Sequence, residues 1–283
     1  MYDIFKTTLL LSLFGFGATS LLLLLKPLTT RKLPAKWQYC VWIIVLISMV
    51  LPTYKMVPAN REVQSLLIVP TNPILQTEIQ PQEDQHPDTM ITYHLPPEYR
   101  EIHLSPKIQI RLSDLLVVIW ILGIFLFLFI VLTNYFCFLR CKRKKSMKIY
   151  DNRIFSELKN ELGIKRAVRL KAVSDTGSPM LVGILFPIVY LPCRDIPDDS
   201  MRMILLHELT HYKRKDLLVK WFAVLVNAIH WFNPLCYLAC ANLSEACEVA
   251  CDMSVTKNMS EEERKLYMQT ILKLVEERNE RNA

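Results

Sequence analysis

The run at residues 112–139 limits the fold of this chain more than any other feature. It is long and strongly apolar, Asp114 stands near its entrance, and Arg140-Cys141-Lys142-Arg143-Lys144-Lys145 follows at once. About 20 apolar residues in a helix match the hydrocarbon thickness of a bilayer, so the run reads as a membrane crossing. Two earlier runs repeat the theme. Residues 7–25 end in five consecutive leucines, Leu21 to Leu25. Only Lys6 precedes that run and no small-residue cleavage site follows it, so it reads as a retained transmembrane helix and not a signal peptide. Residues 37–52 are shorter, and reach the length of a span if Lys36 snorkels. Between these two runs, Lys26, Arg31, Lys32 and Lys36 fall in a short loop broken by Pro27 and Pro34.

Charge sets the orientation. Of 283 residues, 52% are hydrophobic, and the net charge of +7 gathers beside the apolar runs, which points to a membrane surface and not to direct nucleic-acid binding. Basic clusters at 26–36 and 140–148 belong on the cytoplasmic side. The N-terminus and the loop 53–111 then face outward, and everything after residue 140 lies inside a multi-pass cell-membrane protein. That loop is rich in proline, with short strands expected at 65–69 and 90–95. Its His86, His94 and His103 are too irregularly spaced for a helical metal site and are read as exposed. All eight cysteines lie in membrane or cytoplasmic segments, so no disulfide framework is expected. Their recurrence at i, i+4 (Cys137/Cys141, Cys236/Cys240, Cys247/Cys251) lacks the usual zinc-ligand spacing and reads as packing.

The chemistry concentrates in Leu205-Leu206-His207-Glu208-Leu209-Thr210-His211-Tyr212. This is H-E-x-x-H, and helical spacing projects both imidazoles from one face, one turn apart, where they can hold Zn²⁺ with Glu208 beside an open coordination position. The competing reading is two satisfied core histidines. Asp198 or Asp199 supplies a helix N-cap, Met201, Leu205, Leu209 and Tyr212 recur as a buried face, and Lys213, Arg214 and Lys215 follow at the negative end of the dipole. A third ligand is offered by Ser244-Glu245-Ala246-Cys247-Glu248-Val249-Ala250-Cys251-Asp252. Spacing leaves Glu248 and Glu245 both open. Asp252, one turn beyond Glu248, is placed to accept a hydrogen bond from the outer nitrogen of a ligating histidine.

These stretches resemble the membrane-embedded metallopeptidases of the BlaR/MecR type. The similarity rests on His207-Glu208-Leu209-Thr210-His211, His230-Trp231-Phe232-Asn233-Pro234, Glu248-x-x-Cys251-Asp252 and the segment from Ser178 to Pro192, and it runs over about 1–283. In that family the third ligand is the Glu four residues before the Asp, which implies Glu248. The resemblance also implies a regulatory role: cleavage of a cytoplasmic DNA-binding repressor, or of the protein itself, in response to an envelope signal such as a cell-wall antibiotic. Family members continue into a fourth transmembrane helix and an external penicillin-binding sensor domain. Ser156-Glu157-Leu158-Lys159 matches the S-x-x-K of such domains, but it falls on the cytoplasmic side without S-D-N or K-T-G and is accidental.

The remaining segments fill in an α+β domain over 140–283. A helix is expected at 150–162 and strands at 166–173 and 184–191, punctuated by Gly177, Gly183 and Pro187. An edge strand beside the zinc helix would bind a substrate peptide by strand addition, the alternative being an ordinary structural hairpin. Residues 217–243 are apolar but interrupted by Lys220, Asn227, His230, Asn233 and Pro234, and read as a membrane-associated helix pair breaking at Asn233-Pro234. His230 is assigned a packing role. Ser260-Glu261-Glu262-Glu263 reads as a capping box opening a helix with Leu266, Tyr267, Ile271, Leu274 and Val275 inward.

The expected protein is therefore α-helical in the membrane, with three transmembrane helices near 7–25, 37–52 and 112–139. It carries a cytoplasmic α+β zinc metallopeptidase of gluzincin type, with ligands His207, His211 and Glu248 and general base Glu208. Two other readings remain: a housekeeping membrane protease of the quality-control or prenyl-peptide-processing sort, and a non-catalytic sensor or scaffold with a structural zinc.

Overall fold

The computed structural model describes residues 2–51, 112–149, 152–174 and 178–280. The strands expected at 65–69 and 90–95, and His86, His94 and His103, lie outside the described residues. Met1–Pro52 and Leu116–Ala283 form one compact unit, and the packing below belongs to it.

Three apolar helices come first: α1 (Tyr2–Lys32), α2 (Ala35–Val50) and α3 (Leu112–Lys144). Two stretches, Asp3–Thr30 and Leu112–Lys144, are long and apolar enough to cross a membrane, and α2 is a shorter apolar helix. The loop expected from Pro27 is instead helix, and the chain breaks only at Leu33 and Pro34. Pro27 deprives one carbonyl of its donor. Local contacts hold the turn nonetheless: Thr30 Oγ1 donates to the Lys26 carbonyl at 2.9 Å, and Lys26 Nζ reaches Asn242 and Glu245 at 2.7 Å each.

A short strand β1 (Ser146–Ile149) follows α3, then α4 (Arg153–Glu161), whose N-cap Asn152 accepts from Phe155 N. Strands β2 (Arg169–Val173), β3 (Met180–Val182) and β4 (Ile188–Pro192) complete a sheet ordered β1-β2-β4-β3. β2 and β4 are parallel, with Arg169 opposite Ile188 and Val173 opposite Pro192, and β3 lies antiparallel at the edge of β4. Of the strand expected at 184–191, only the part from 188 is strand, in β4, and residues 183–187 form the turn from β3. Gly183 has φ +88°, where a side chain would collide with the Phe186 carbonyl. One face of the sheet buries Leu170, Val189 and Leu191 against Phe155 and Leu158 of α4 and Ile204, Leu205 and Leu209 of α5 (Asp198–Arg214). The other face, Val173, Val182 and Tyr190, receives Tyr135 and Leu139 of α3.

Helix α5 begins after Pro197, so Asp198 and Asp199 stand in its first turn and neither caps it by side chain. Both still place negative charge at the positive end of the dipole. Lys215, at φ +62°, closes the helix in the left-handed region and turns the chain into α6 (Asp216–Ile229). Asn233 then caps α7 (Pro234–Val255), a break where the sequence places it. α6 and α7 pack with α2 around Trp42, Leu46, Met49, Val226, Ala239 and Leu243.

The α6–α7 turn reaches far along α3: Trp120 Nε1 donates to the Ile229 carbonyl at 2.9 Å, and a side chain at Gly123 would overlap the Trp231 ring. His230 is fully buried there with Nε2 3.1 Å from the Met49 carbonyl, a packing position remote from His207 and His211 in its contacts. A one-turn 3₁₀ segment leads into α8 (Glu261–Glu280). Its capping box is formed, with Ser260 N to Glu263 Oε2 at 2.8 Å and Glu263 N to Ser260 Oγ at 3.2 Å. Tyr267 is buried on α5 and α7, whereas Val275 is exposed and not inward as expected.

Candidate metal centre

Helix α5 carries both imidazoles of the H-E-x-x-H motif on the side that meets α7. The Nε2 atoms of His207 and His211 lie 3.1 Å apart, and Glu248 Oε2 lies 3.6 Å from the first and 3.2 Å from the second. Ligands held at ~2.0–2.1 Å in a tetrahedron stand about 3.3 Å from one another, so these three atoms have the mutual spacing of a zinc ligand set.

The outer nitrogens settle the tautomers. His211 Nδ1 lies 2.7 Å from Asp216 Oδ2, and only an N–H can donate there. His207 Nδ1 lies 2.7 Å from the Tyr267 hydroxyl and 3.2 Å from Asp252 Oδ1, while Tyr267 itself donates to Asp252 at 2.5 Å. With both protons on Nδ1, two lone pairs and a carboxylate oxygen converge with no donor among them. Such a set demands a cation, a metal ion or captured protons. The basicity of the site says the same. Burial works against the charged form of His207, but hydrogen bonds to Asp252 and Glu248 raise it to about 10. His211 is raised likewise, against burial, by Asp216 together with Cys247, Cys251 and Glu248. Burial favours protonation of Glu248, yet the two imidazoles and Lys220 hold it well below the ordinary carboxylate range. A cation-binding site built from neutral imidazoles and a carboxylate fits these residues.

Glu245, the other carboxylate left open by spacing, is exposed and pairs with Lys26 at 2.7 Å. Cys251 and Cys247 come closer than a packing role alone would require. Cys251 presents its sulfur within 4.8 Å of donor atoms of His207 and His211, and Cys247 does so with His211 and Asp216. The Cys247 group includes Asp216, which is already bonded to the Nδ1 proton, and Cys251 Sγ donates to the His207 carbonyl at 3.7 Å. Among the described residues, Glu248 is the carboxylate that meets both Nε2 atoms directly.

Glu208 is partly buried and points toward the sheet edge, where the backbone N–H of Leu181 in β3 bonds its carboxylate. Burial raises its pKa and the two imidazoles pull it back, leaving it above the usual carboxylate value. Beside it, a cavity of about 320 Å³ is lined by Leu162, Ile164, Leu181, His211, Leu217 and Leu218.

Sequence reasoning gave no supporting role to Asp216, Tyr39, Arg214, Tyr267 or Lys220. Asp216 is 1% exposed and also accepts from Tyr39 of α2 at 3.0 Å and from Arg214 Nε at 3.0 Å. The Tyr267 hydroxyl bridges His207 Nδ1 and Asp252. Lys220 Nζ bonds Glu248 Oε1 at 2.9 Å and leaves Oε2 for the imidazoles. Only Asp216, soon after His211 and first in α6, offered a local signal.

The chain is 33% identical over 162 residues to the regulatory protein BlaR1 of Bacillus licheniformis, covering 55% of this chain and 26% of that protein. It is 26% identical over 167 residues to the methicillin resistance mecR1 proteins of Staphylococcus aureus and Staphylococcus epidermidis, covering 58% of this chain and 28% of each. The chain thus spans about a quarter of the length of these relatives. The model of the BlaR1 peptidase M56 family, a family of metallopeptidases, matches residues 6–283, and the chain belongs to that family.

Proposed function

We propose that the chain is a membrane-anchored zinc endopeptidase of gluzincin type that cleaves a cytoplasmic repressor, itself, or both, in response to an envelope or β-lactam signal. The observation that carries the reading is the convergence of His207 Nε2, His211 Nε2 and Glu248 Oε2 within 3.1–3.6 Å, with both outer histidine nitrogens engaged. Zinc bound there supplies Lewis acidity toward a peptide carbonyl and acidifies water. Glu208 takes the proton of the attacking water and returns it to the leaving amine. Its pKa, raised by burial, brings it nearer the working pH than an exposed glutamate. The Leu181 amide orients the Glu208 carboxylate, and β3, as the edge strand beside it, offers a substrate peptide a strand to pair with. Asp216 and Asp252 hold the two imidazoles in the Nδ1–H tautomer.

Three membrane crossings, by α1, α2 and α3, with the N-terminus outside and the metal centre at the cytoplasmic face, complete the proposal. Two contacts support it. Lys26, in the basic end of α1, bonds Glu245 one turn before Glu248, and the basic end of α3 runs directly into the sheet. Both positive clusters therefore lie at the level of the site, as the positive-inside rule asks. The regulatory role follows the name of the BlaR1 relative, and the repressor partner is what the resemblance to the BlaR/MecR type implies.

Proteolysis of a candidate repressor, or of the protein itself, by matched membranes of wild type and Glu208→Gln tests the reading. Zinc content should stay the same, because Glu208 is not a ligand, while the rate falls about 10²–10⁴-fold. Cleavage by the variant at the wild-type rate removes Glu208 as the base.

A further inference from the structure

The turn joining β3 to β4 carries Leu185 and Phe186, 70% and 75% exposed. The backbone beneath them is fixed. Gly183 takes φ +88° against the Phe186 carbonyl, and Arg166 Nη2 donates to the Leu185 carbonyl at 2.6 Å. Two large apolar side chains are thus held outward on a firm turn, an expensive arrangement in water.

Contacts with α3 give the depth of this turn. Tyr190, paired with Met180, lies near enough to Arg143 for the guanidinium to oppose the upward push of burial on its phenol. Further along β3, the Gly183 N–H bonds the hydroxyl of Tyr135. Arg143 and Tyr135 are ~12 Å apart along a helix. Met180 and Gly183 are ~10 Å apart along a strand. The two elements therefore run side by side, and β3 travels from the basic end of α3 toward its apolar middle. Side chains tilt toward a helix N-terminus, so the Tyr135 hydroxyl lies deeper still. Tyr135 also meets Trp221 of α6 edge to face at 5.0 Å. Paired tyrosine and tryptophan rings sit at the boundary between headgroups and acyl chains. Leu185 and Phe186 come after Gly183, beyond that boundary. Lys165 and Arg166, both exposed, flank the turn.

We propose that the β3–β4 turn is a membrane anchor, with Leu185 and Phe186 inserted in the acyl region of the leaflet beside the basic end of α3 and Lys165 and Arg166 set against lipid phosphates. The proposal rests on α3 crossing the membrane. It ties to the bilayer surface the strand whose Leu181 amide meets Glu208, and with it the mouth of the cavity beside His211. Peptide segments close to the membrane are then the ones within reach.

The unaltered chain, reconstituted in vesicles containing a phospholipid with a photoactivatable diazirine in its acyl chain, gives the test. After illumination and digestion, adducts are mapped by mass spectrometry. Adducts should appear on Leu185 or Phe186 as well as on lipid-facing positions of α3 such as Phe125 and Phe129. Adducts on α3 with none on Leu185 or Phe186 overturn the anchor, whether water or another protein covers the turn. Absence of adducts from α3 itself removes the membrane crossing, and the anchor with it.

Discussion

His207 and His211 stand one turn apart on a single helix, yet different halves of the molecule hold them. The outer nitrogen of His207 is clamped by Tyr267 of α8 and Asp252 of α7, a carboxylate whose side chain is 41% exposed. That of His211 is clamped by Asp216, 1% exposed, and Asp216 is gripped in turn by Arg214 and by Tyr39 of the apolar helix α2. Arg214 extends the second clamp to the Ala250 carbonyl and Ser254 of α7, and stacks over the Tyr39 ring at 5.2 Å. One imidazole is thus oriented from the half-exposed lobe, the other through a partly buried ionic cluster reaching the helix bundle. The proposed metal centre is thereby linked to α2 through the hydrogen bond from Tyr39 to Asp216.

Asp216→Asn and Asp252→Asn put the two clamps in direct contrast. Loss of a carboxylate behind a ligating histidine costs about 10–100-fold in metal affinity. Asp216→Asn should fall at the upper end and should also lower the melting temperature of the metal-free protein, because it leaves Arg214 without its partly buried counter-charge. Asp252→Asn should fall at the lower end with little loss of stability, since Tyr267 still accepts from His207 and water reaches the site. Chelator competition in detergent and thermal unfolding measure the two effects. A larger affinity loss for Asp252→Asn reverses the comparison.

Smaller effects are expected one step further out. Tyr39→Phe removes a hydrogen bond to a carboxylate and should weaken metal binding by less than about tenfold. In an Asp216→Asn background it should add almost nothing, because its influence passes through that carboxylate. Tyr267→Phe should weaken binding to a similar degree but additively with Asp216→Asn, as it acts on the other imidazole. Additive loss from Tyr39→Phe shows that α2 does not act through Asp216.

The sequence made the α5 helix readable because its apolar positions and both histidines share one period, and the capping box of α8 because its partners are three residues apart. The break at Asn233-Pro234 was equally local. What escaped were features decided by distant parts of the chain. Tyr39 and Tyr267 meet the centre across large sequence separations, and no local pattern announces a phenol aimed at a carboxylate. β1 and β3 are four and three residues long, too short for alternation to register. The turn after Gly183 hid inside an apolar run because its exposed Leu185 and Phe186 look like strand. Pro27 misled because helix packing outweighed a single missing donor.

X-ray absorption at the zinc edge, on protein loaded with one equivalent of zinc in detergent, tests the donor set on which the whole account depends. Two imidazole nitrogens and oxygen from Glu248 and water, all near ~2.0–2.1 Å, and no sulfur, are predicted. A sulfur shell near ~2.3 Å would make Cys251 or Cys247 a ligand and contradict the assignment of Glu248.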